Sequence, residues 1–269
     1  MSQIERAPVP SDPEQVVAQV RERYGAVART GSGCCGPGTC EVTVQLGYDA
    51  KSLKAVPAEA DLGLGCGAPI RSLDLQEGEV VLDLGSGGGL DALLAAREVG
   101  PTGRVIGVDM TPDMLARARR AASDVPTVEF RQGRLEALPV DDASIDAVTS
   151  NCVINLVPDK AQVFKEVARV LRSGGRMVVS DIILDRQLPA ALANDLTAYV
   201  GCLAGALTRE QYTDAIRAAG LGNIEVLRDF DYLSSWPPQE VDTLLARFGV
   251  PRSDVEGVVR SLTFRAVKP

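Results

Sequence analysis

The chain contains no histidine in its 269 residues. Histidine is the side chain most often used as a general base and as a metal ligand, so its absence removes the commonest form of both. Serine- and cysteine-hydrolase triads, which depend on histidine, are excluded. Any chemistry that the chain performs must therefore use other nucleophiles and other ligands.

The sequence also lacks a basic cluster and a long apolar run. Its net charge is −8, and its Lys and Arg residues are scattered. Nucleic acid is not expected as a partner, because phosphate neutralisation needs a basic face. The first six residues contain no apolar leader segment, and no run reaches the roughly 18 apolar residues that span a bilayer. We therefore expect a cytoplasmic monomer with no membrane partner.

Six cysteines are present, and in a reducing cytoplasm they are expected to be thiols rather than structural disulfides. Cys34 and Cys35 are adjacent, which puts their Cα atoms about 3.8 Å apart. This separation is below the usual disulfide range of about 4.4–6.8 Å, so a bond between them would be strained. Together with Cys40 they lie in a Gly- and Pro-rich stretch, at 31–40, that predicts an irregular loop.

The chain divides into three regions. Residues 1–70 form an N-terminal region with the cysteine-rich loop and a predicted amphipathic helix at 12–29, which Asp12 can cap and Pro13 can begin. Residues 71–227 form a core of alternating strand and helix patterns. Residues 228–269 form a C-terminal extension that is expected to complete the sheet.

The core predicts an α/β fold with a doubly wound, mostly parallel, Rossmann-like sheet. Strands, which alternate with helical patterns, are predicted at 80–84, 105–109, 127–132, 145–149 and 176–181. Later strands are expected at 224–227 and 262–266.

Several local signals predict where helices begin and end. Gly174-Gly175 is expected to end the helix that precedes the strand at 176–181. Thr208 and Gln211 predict a capping box for a helix that runs to about Ala219. The stretch around Trp236-Pro237-Pro238 is expected to be irregular.

A glycine-rich turn follows the first strand. Gly85-Ser86-Gly87 permits the tight turn and close backbone approach that a nucleotide ligand needs. Asp109 ends the next strand, where a carboxylate can accept hydrogen bonds from ribose hydroxyls. These features fit both a nicotinamide dinucleotide and S-adenosylmethionine. The last glycine of the dinucleotide fingerprint is replaced by Leu90, which a ligand without a pyrophosphate tolerates, so we predict an S-adenosylmethionine site.

Four further residues are assigned to this cofactor site. Met110 is expected to pack on the adenine, and Leu135 and Glu136 follow the third strand, where they can meet the adenine edge. A solvated loop is the alternative interpretation for Glu136. Asn151 completes the set, because open α/β sheets bind ligands at the carboxyl ends of their strands.

Three cysteines interrupt apolar segments that also contain glycine or asparagine. These segments are Gly65-Cys66-Gly67, Asn151-Cys152-Val153-Ile154 and Gly201-Cys202-Leu203. At the second of them, amino-methylating enzymes often carry an Asn/Asp-Pro-Pro-aromatic motif, which a thiol here replaces. Each buried cysteine alone is more often a small apolar filler than a ligand. Together the three would form a soft, three-thiol pocket if the fold brings them into contact.

With these segments the chain resembles the S-adenosylmethionine-dependent arsenite methyltransferases. The resemblance covers most of residues 20–227 and rests on the segments at 63–67, 81–89, 105–112, 150–156 and 199–206. The cofactor segments are common to many methyltransferases, whereas the cysteine segments are distinctive. In the family, the cysteines that match Cys66, Cys152 and Cys202 hold trivalent arsenic and are needed for methylation. One departure is Ala68, where the family commonly has asparagine.

The resemblance implies methyl transfer from S-adenosylmethionine to trivalent arsenic held by three cysteine thiolates, which is an arsenic detoxification reaction. It also implies an arsenic-binding insertion near 185–210, arsenite or its thiol conjugates as substrate, and a thiol reductant such as glutathione or thioredoxin. Two alternatives stay open. One is an O-, N- or C-methyltransferase for a small molecule with cysteines merely lining its pocket, and the other is a non-catalytic metalloid-binding sensor or scavenger.

Cys34 and Cys35 match an N-terminal pair of the same family, and we expect them to capture arsenic and pass it to the inner thiols. Replacing both by serine should slow methylation at low arsenite and spare turnover at saturation, because only capture is impaired. Initial rates across a range of arsenite concentrations check this expectation. A collapse of the saturating rate would instead make the pair part of the catalytic site.

Overall fold

The computed structural model describes residues 7–31 and 43–269. The predicted cysteine-rich loop, with Cys34, Cys35 and Cys40, lies outside the described residues. Across the described ranges, no helix combines the length and the apolar character needed to cross a membrane.

A seven-stranded sheet forms the centre of the described fold, in the order β3-β2-β1-β4-β5-β7-β6. Strands β1 to β5 are parallel, and β7 is antiparallel to both of its neighbours. The strands are β1 (Val80–Leu84), β2 (Arg104–Asp109), β3 (Val128–Gln132), β4 (Ile145–Asn151), β5 (Leu171–Leu184), β6 (Gly222–Asp231) and β7 (Val259–Val267). The predicted α/β class with a doubly wound, mostly parallel sheet is confirmed.

Helices connect the strands and cover both faces of the sheet. Within the described ranges they are α1 (Pro13–Thr30), α2 (Ala50–Leu53), α3 (Leu90–Val99), α4 (Pro112–Ala121), α5 (Lys160–Val170), α6 (Ala190–Ala193), α7 (Leu196–Val200), α8 (Arg209–Ala218) and α9 (Pro238–Phe248). The Asp12 side chain caps α1 as expected, by accepting a hydrogen bond from the Glu14 N–H at 3.0 Å. The capping box of Thr208 and Gln211 begins α8.

Two local predictions are wrong, each for a physical reason. Helix α5 ends at Val170, before the Gly174-Gly175 signal, because the buried Leu171 already pairs with Ile145 of β4. Tertiary strand pairing therefore outweighs the local glycine signal. The stretch around Trp236 is also not irregular throughout, since Pro237 is the N-cap residue of α9 and Pro238 its first residue. A proline is tolerated there because the first N–H groups of a helix have no partner within the helix.

The predicted regions meet inside the sheet. The division between residues 227 and 228 falls within β6, and the three-region division stays a prediction. Strands β6 and β7 belong to the same sheet as the strands of the core, because β7 lies between β5 and β6.

The strand order positions the site. The chain runs outward from β1 to β3 and then returns to β4 on the other side of β1. Connections on either side of this switch leave in opposite directions, so a crevice opens beyond the carboxyl ends of β1 and β4. Asp83 and Leu84 of β1 pair with Thr149 and Ser150 of β4 at this edge.

An aromatic cluster holds one face of the sheet against its helices. Phe164 of α5 meets Tyr212 of α8 edge to face, with ring centroids 5.2 Å apart, and Tyr212 stacks on Phe264 of β7 at 5.1 Å. All three side chains are fully buried. The cluster therefore joins two helices to the antiparallel end of the sheet.

Phe164→Ala should lower the free energy of unfolding by about 3–5 kcal/mol, because it removes buried apolar contacts and leaves a cavity. Leu227→Ala is the matched control, since Leu227 is an apolar side chain that is 40% exposed and its loss should cost no more than about 0.5 kcal/mol. Urea unfolding of both variants provides the measurement. Equal losses in the two would contradict the assignment of the core.

Candidate active site

One cavity lies at the carboxyl ends of the central strands. All eight residues predicted to bind the cofactor line it: Gly85, Ser86, Gly87, Asp109, Met110, Leu135, Glu136 and Asn151. Cys152 and Cys202 also line it, as does Gly65, the neighbour of Cys66. The fold therefore brings the two predicted sites to opposite parts of the same cavity.

The glycine turn is shaped by its neighbours. Gly85 has a φ of 64°, and a Cβ there would lie 2.4 Å from Val153 Cγ2, so any side chain would be strained and crowded. The Gly87 N–H donates to Asp109 Oδ2 at 2.9 Å, and the Thr111 N–H donates to Asp109 Oδ1 at 2.8 Å. Asp109 thus fixes the turn after β1 to the start of α4 while lining the cavity.

Three buried carboxylates gather around the cofactor part of the cavity, from Asp83, Asp91 and Asp109. Burial raises the pKa of Asp83 well above its usual value, and the charges of Asp91 and Asp109 raise it further. Burial also raises the pKa of Asp91 to about 6 and the pKa of Asp109. A cationic ligand would relieve this crowding of like charges.

The polar groups of the cavity fit S-adenosylmethionine, which carries an ammonium, a sulfonium and ribose hydroxyls. Asp83 Oδ2 and Ser86 Oγ are buried and have no hydrogen-bond partner within the described part of the chain. Burying such atoms costs free energy unless a ligand or a water molecule forms a hydrogen bond with them. An acceptor beside two further carboxylates suits a positively charged group.

Helix α1 covers the opposite wall of the cavity, where its Val17, Val20 and Tyr24 contribute to the lining. Arg134 ties the helix to the loop after β3, because its guanidinium pairs with Glu14 at 2.6 Å and with Glu136 at 2.8 Å. The Glu136 side chain is 16% exposed. Glu136 is therefore partly enclosed and paired, unlike a residue of a solvated loop.

The three predicted ligand cysteines are free thiols, and the structure brings them close together from three separate segments. The Cys202 thiol donates a hydrogen bond to the Cys152 carbonyl oxygen, with Sγ and O 3.1 Å apart. Cys66 Sγ, Cys152 Sγ and a carboxylate oxygen of Asp181 all lie within 4.8 Å of one another. Among the described residues Cys202 is outside that compact group, and Cys152 interacts with both of the other thiols.

Backbone strain is concentrated at two of these cysteines. Cys152 has a φ of 58° and Cys202 a φ of 65°, which is the left-handed region that residues with a side chain seldom adopt. Each such residue costs on the order of 1–3 kcal/mol unless its surroundings hold it there. Hydrogen bonds do so, from the Cys152 N–H to Ser180 O at 2.8 Å and from the Cys202 N–H to Tyr199 O at 2.9 Å.

Asn151 connects the cofactor part of the cavity to the Cys66 loop. Its Oδ1 accepts from the Cys66 N–H at 3.0 Å, and its Nδ2 donates to Gly67 O and to Tyr48 Oη, each at 2.8 Å. Gly65 has a φ of 119°, and a Cβ there would lie 2.8 Å from the Asn151 amide. The predicted cofactor residue therefore also positions a thiol, which the sequence did not indicate.

Burial keeps the thiols protonated at neutral pH. It raises the pKa of Cys66 above the usual thiol value. The pKa of Cys152 is lowered by its interaction with Cys202 but raised more by Cys66 and by burial, and the pKa of Cys202 is raised by Cys152 and by burial. A metalloid that bonds to sulfur would therefore have to displace these protons.

A second buried polar group lies behind the thiols. Burial raises the pKa of Asp181 to about 7, although a hydrogen bond from Tyr212 and the charge of Lys160 lower it. Tyr212 Oη donates to Asp181 Oδ2 at 3.1 Å. Lys160 itself is 9% exposed and donates to Val157 O at 2.9 Å.

Sequence reasoning missed several of these residues. Asp83 and Asp181 had a usable signal, because Asp83 is the one charge of the otherwise apolar β1 and Asp181 directly precedes the apolar end of β5. Tyr48 and Asp91 had none, since their hydrogen bond of 2.7 Å joins residues 43 positions apart. Ala68, which departs from the family pattern, precedes the 3₁₀ helix Pro69–Ser72 and provides no side-chain cap.

Comparison with known proteins places the chain among methyltransferases. The family described as "Methyltransferase domain" matches residues 75–220. An arsenite methyltransferase of Halobacterium salinarum is 43% identical over 245 residues, which is 84% of this chain and 63% of that protein. One of Aquipseudomonas alcaligenes is 35% identical over 220 residues, covering 78% of this chain and 63% of that protein. The chain thus spans less than two thirds of the length of these curated relatives.

A solved structure extends the similarity to the fold. The crystal structure of an arsenic(III) S-adenosylmethionine methyltransferase from Chlamydomonas reinhardtii is 34% identical, with a TM-score of 0.61. The match covers 87% of this chain and 75% of that structure. The chain therefore belongs to the methyltransferase domain family and, within it, to the arsenite methyltransferases.

Proposed function

We propose that this chain transfers the methyl group of S-adenosylmethionine to trivalent arsenic held by Cys66, Cys152 and Cys202. The observation that carries the proposal is the meeting of three thiols from three segments beside a cofactor-sized cavity with unpartnered polar groups. Soft thiolates suit a soft, thiophilic acceptor. The similarity to arsenite methyltransferases supports the same substrate.

In this proposal the cofactor is held by the glycine turn and the acids around it. The Gly85–Gly87 backbone allows close approach, Asp109 accepts from ribose hydroxyls, and Asp83 faces the positively charged end. Met110, Leu135 and Glu136 enclose the adenine, and Asn151 lies at the boundary with the thiols. Bound there, S-adenosylmethionine would supply an electrophilic methyl group: the arsenic lone pair forms the new arsenic–carbon bond, the carbon–sulfur bond breaks, and the sulfonium leaves as a neutral thioether, with no proton removed.

The residues of the chain have two tasks in this reaction. The thiols bind arsenic by exchange, in which each sulfur gives its proton to the thiol or hydroxide that leaves the arsenic. The three segments that carry the thiols then hold arsenic in one orientation towards the methyl donor, so proximity is the leading catalytic contribution. No general base is required, which agrees with a chain that has no histidine. Cys202, outside the compact group, has to move inward on binding.

A thiol reductant completes the proposed cycle. When arsenic donates its lone pair to the methyl group, its formal oxidation state rises from trivalent to pentavalent. Two thiols of the reductant then return the two electrons by forming a disulfide. Glutathione or thioredoxin in a reducing cytoplasm would serve this purpose. Arsenite or its thiol conjugates would be the substrate, and Cys34 with Cys35 would capture it first.

Asp109→Ala should weaken S-adenosylmethionine binding by about 10- to 150-fold, because a charged hydrogen-bond acceptor contributes roughly 1.5–3 kcal/mol. Calorimetric titration of the cofactor measures the change. Asp113→Ala is the matched control, since the Asp113 carboxylate is 41% exposed and pairs with Arg29. Unchanged cofactor affinity in Asp109→Ala, with the protein folded, would remove Asp109 from the site.

Serine at Cys66, Cys152 or Cys202 should lower arsenite affinity by roughly tenfold or more, equivalent to at least about 1.4 kcal/mol. Each change keeps the volume similar but replaces a soft ligand by a hard hydroxyl. Cys152→Ser should be the most severe, because the Cys152 thiol interacts with both of the others. Arsenite binding and labelled methyl transfer, both in the presence of glutathione, are the measurements.

Two controls separate this effect from general damage. Cofactor affinity should be unchanged in all three variants, and Cys40→Ser, which alters a thiol outside the three segments, should retain turnover. A fully active Cys152→Ser enzyme would falsify the three-thiol mechanism. The result would then favour the alternative hypothesis of an ordinary small-molecule methyltransferase.

A further inference from the structure

Asp181 is the residue of the thiol region that the proposed arsenic chemistry does not use. Its carboxylate lies within 4.8 Å of both Cys66 Sγ and Cys152 Sγ, and the two sulfurs lie within the same distance of each other. Asp181 is 1% exposed and Cys66 is 0% exposed, whereas Cys152 is half-buried and lines the cavity. An acid enclosed beside two thiols forms a ligand set of mixed type.

The ligand atoms of this set, two sulfurs and one oxygen, differ from the three sulfurs that trivalent arsenic prefers. Trivalent arsenic makes three bonds and keeps a lone pair, and three sulfurs satisfy it. A tetrahedral divalent cation has metal–sulfur distances of about 2.3 Å and metal–oxygen distances of about 2.0–2.2 Å, so its ligands lie roughly 3.5–3.8 Å apart. Shifts of about 1 Å would bring Cys66, Cys152 and Asp181 from within 4.8 Å to that spacing.

We propose that Cys66, Cys152 and Asp181 form a site for a soft or borderline divalent cation, Zn²⁺ or Cd²⁺, which overlaps the arsenic position. The fourth coordination position faces the cavity through Cys152 and would hold water. Binding displaces the two thiol protons and any proton on the Asp181 carboxyl to solvent, and it involves no electron transfer. The proposal goes beyond the arsenic chemistry, because it requires Asp181 and does not require Cys202.

The local charges suit such a cation. Two thiolates and one carboxylate carry a charge of −3, which a divalent cation reduces to −1. The buried Lys160 ammonium lowers the pKa of Asp181, and its positive charge balances the remaining −1. Tyr212 Oη donates to Asp181 Oδ2 at 3.1 Å and the Ile182 N–H donates to Oδ1 at 3.3 Å. These bonds orient the carboxylate in the manner of outer-shell partners, and each oxygen keeps a lone pair for a cation.

A double dissociation tests the proposal. In a chain in which Cys34, Cys35 and Cys40 are serine, Cd²⁺ alone is titrated and the thiolate-to-cadmium charge-transfer absorption is followed. The parent should bind one cation per chain. Asp181→Asn should weaken cadmium affinity at least tenfold and leave arsenite affinity within about threefold. Cys202→Ser should do the reverse, because it removes an arsenic ligand only.

Asp146→Asn is the matched control for the loss of one negative charge. Asp146 lies near the opposite end of β4, where its carboxylate accepts from the Val80 N–H at 2.8 Å, and its replacement should leave both affinities unchanged. S-adenosylmethionine binding by each variant reports whether the fold is retained. Zinc X-ray absorption of the parent chain gives the ligand set without any substitution at Asp181, and two sulfurs with oxygen neighbours are expected.

Several outcomes would overturn the proposal. These are equal cadmium affinity in the parent and Asp181→Asn, a cadmium loss in Cys202→Ser as large as in Asp181→Asn, and a zinc site with three sulfurs. Failure of the arsenic proposal would be distinct, because Cys202→Ser would then retain arsenite affinity while the cadmium results stand.

Discussion

The hydrogen bonds of one amide group, that of Asn151, join the parts of the site. They fix the backbone on both sides of Cys66 to the carboxyl end of β4, directly before Cys152. Through Tyr48 the same amide reaches Asp91 in the cofactor part of the cavity. The backbone around Cys66 and the acid region are therefore both tied to the carboxyl end of β4.

The three thiols of this fold, the proposed arsenic ligands, are held in place at an energetic cost. Two of the three cysteines have left-handed backbones, and all three have raised thiol pKa values because they are enclosed and interact with one another. Neither condition stabilises the folded chain. Both are tolerated because the aromatic cluster, which contacts Asp181 through Tyr212, and the fully buried strands fix the framework around them. This pattern is typical of a preorganised binding site.

The sequence predicts β1, β2 and β4 closely, because each contains a short apolar run next to turn signals. It predicts the start of β5 at residue 176, whereas that strand begins at Leu171. It also predicts the glycine turn and Asp109, because the turn directly follows an apolar run and Asp109 ends one. It does not predict where α5 ends, since the pairing of Leu171 with Ile145 is a tertiary contact. The dual role of Asn151 and the proximity of Asp181 to two thiols depend on which strands are neighbours, and spacing along the chain carries no such information.

In the proposed reaction, the crowding of Asp83, Asp91 and Asp109 would affect turnover as well as binding. The methyl donor carries a positive sulfonium, whereas its demethylated product is a neutral thioether. Carboxylates arranged around this position therefore attract the donor more strongly than the product, by the interaction of one unit charge. Methyl transfer itself would remove that attraction, so the same acids that favour loading of the enzyme would favour release of the product and limit its inhibition.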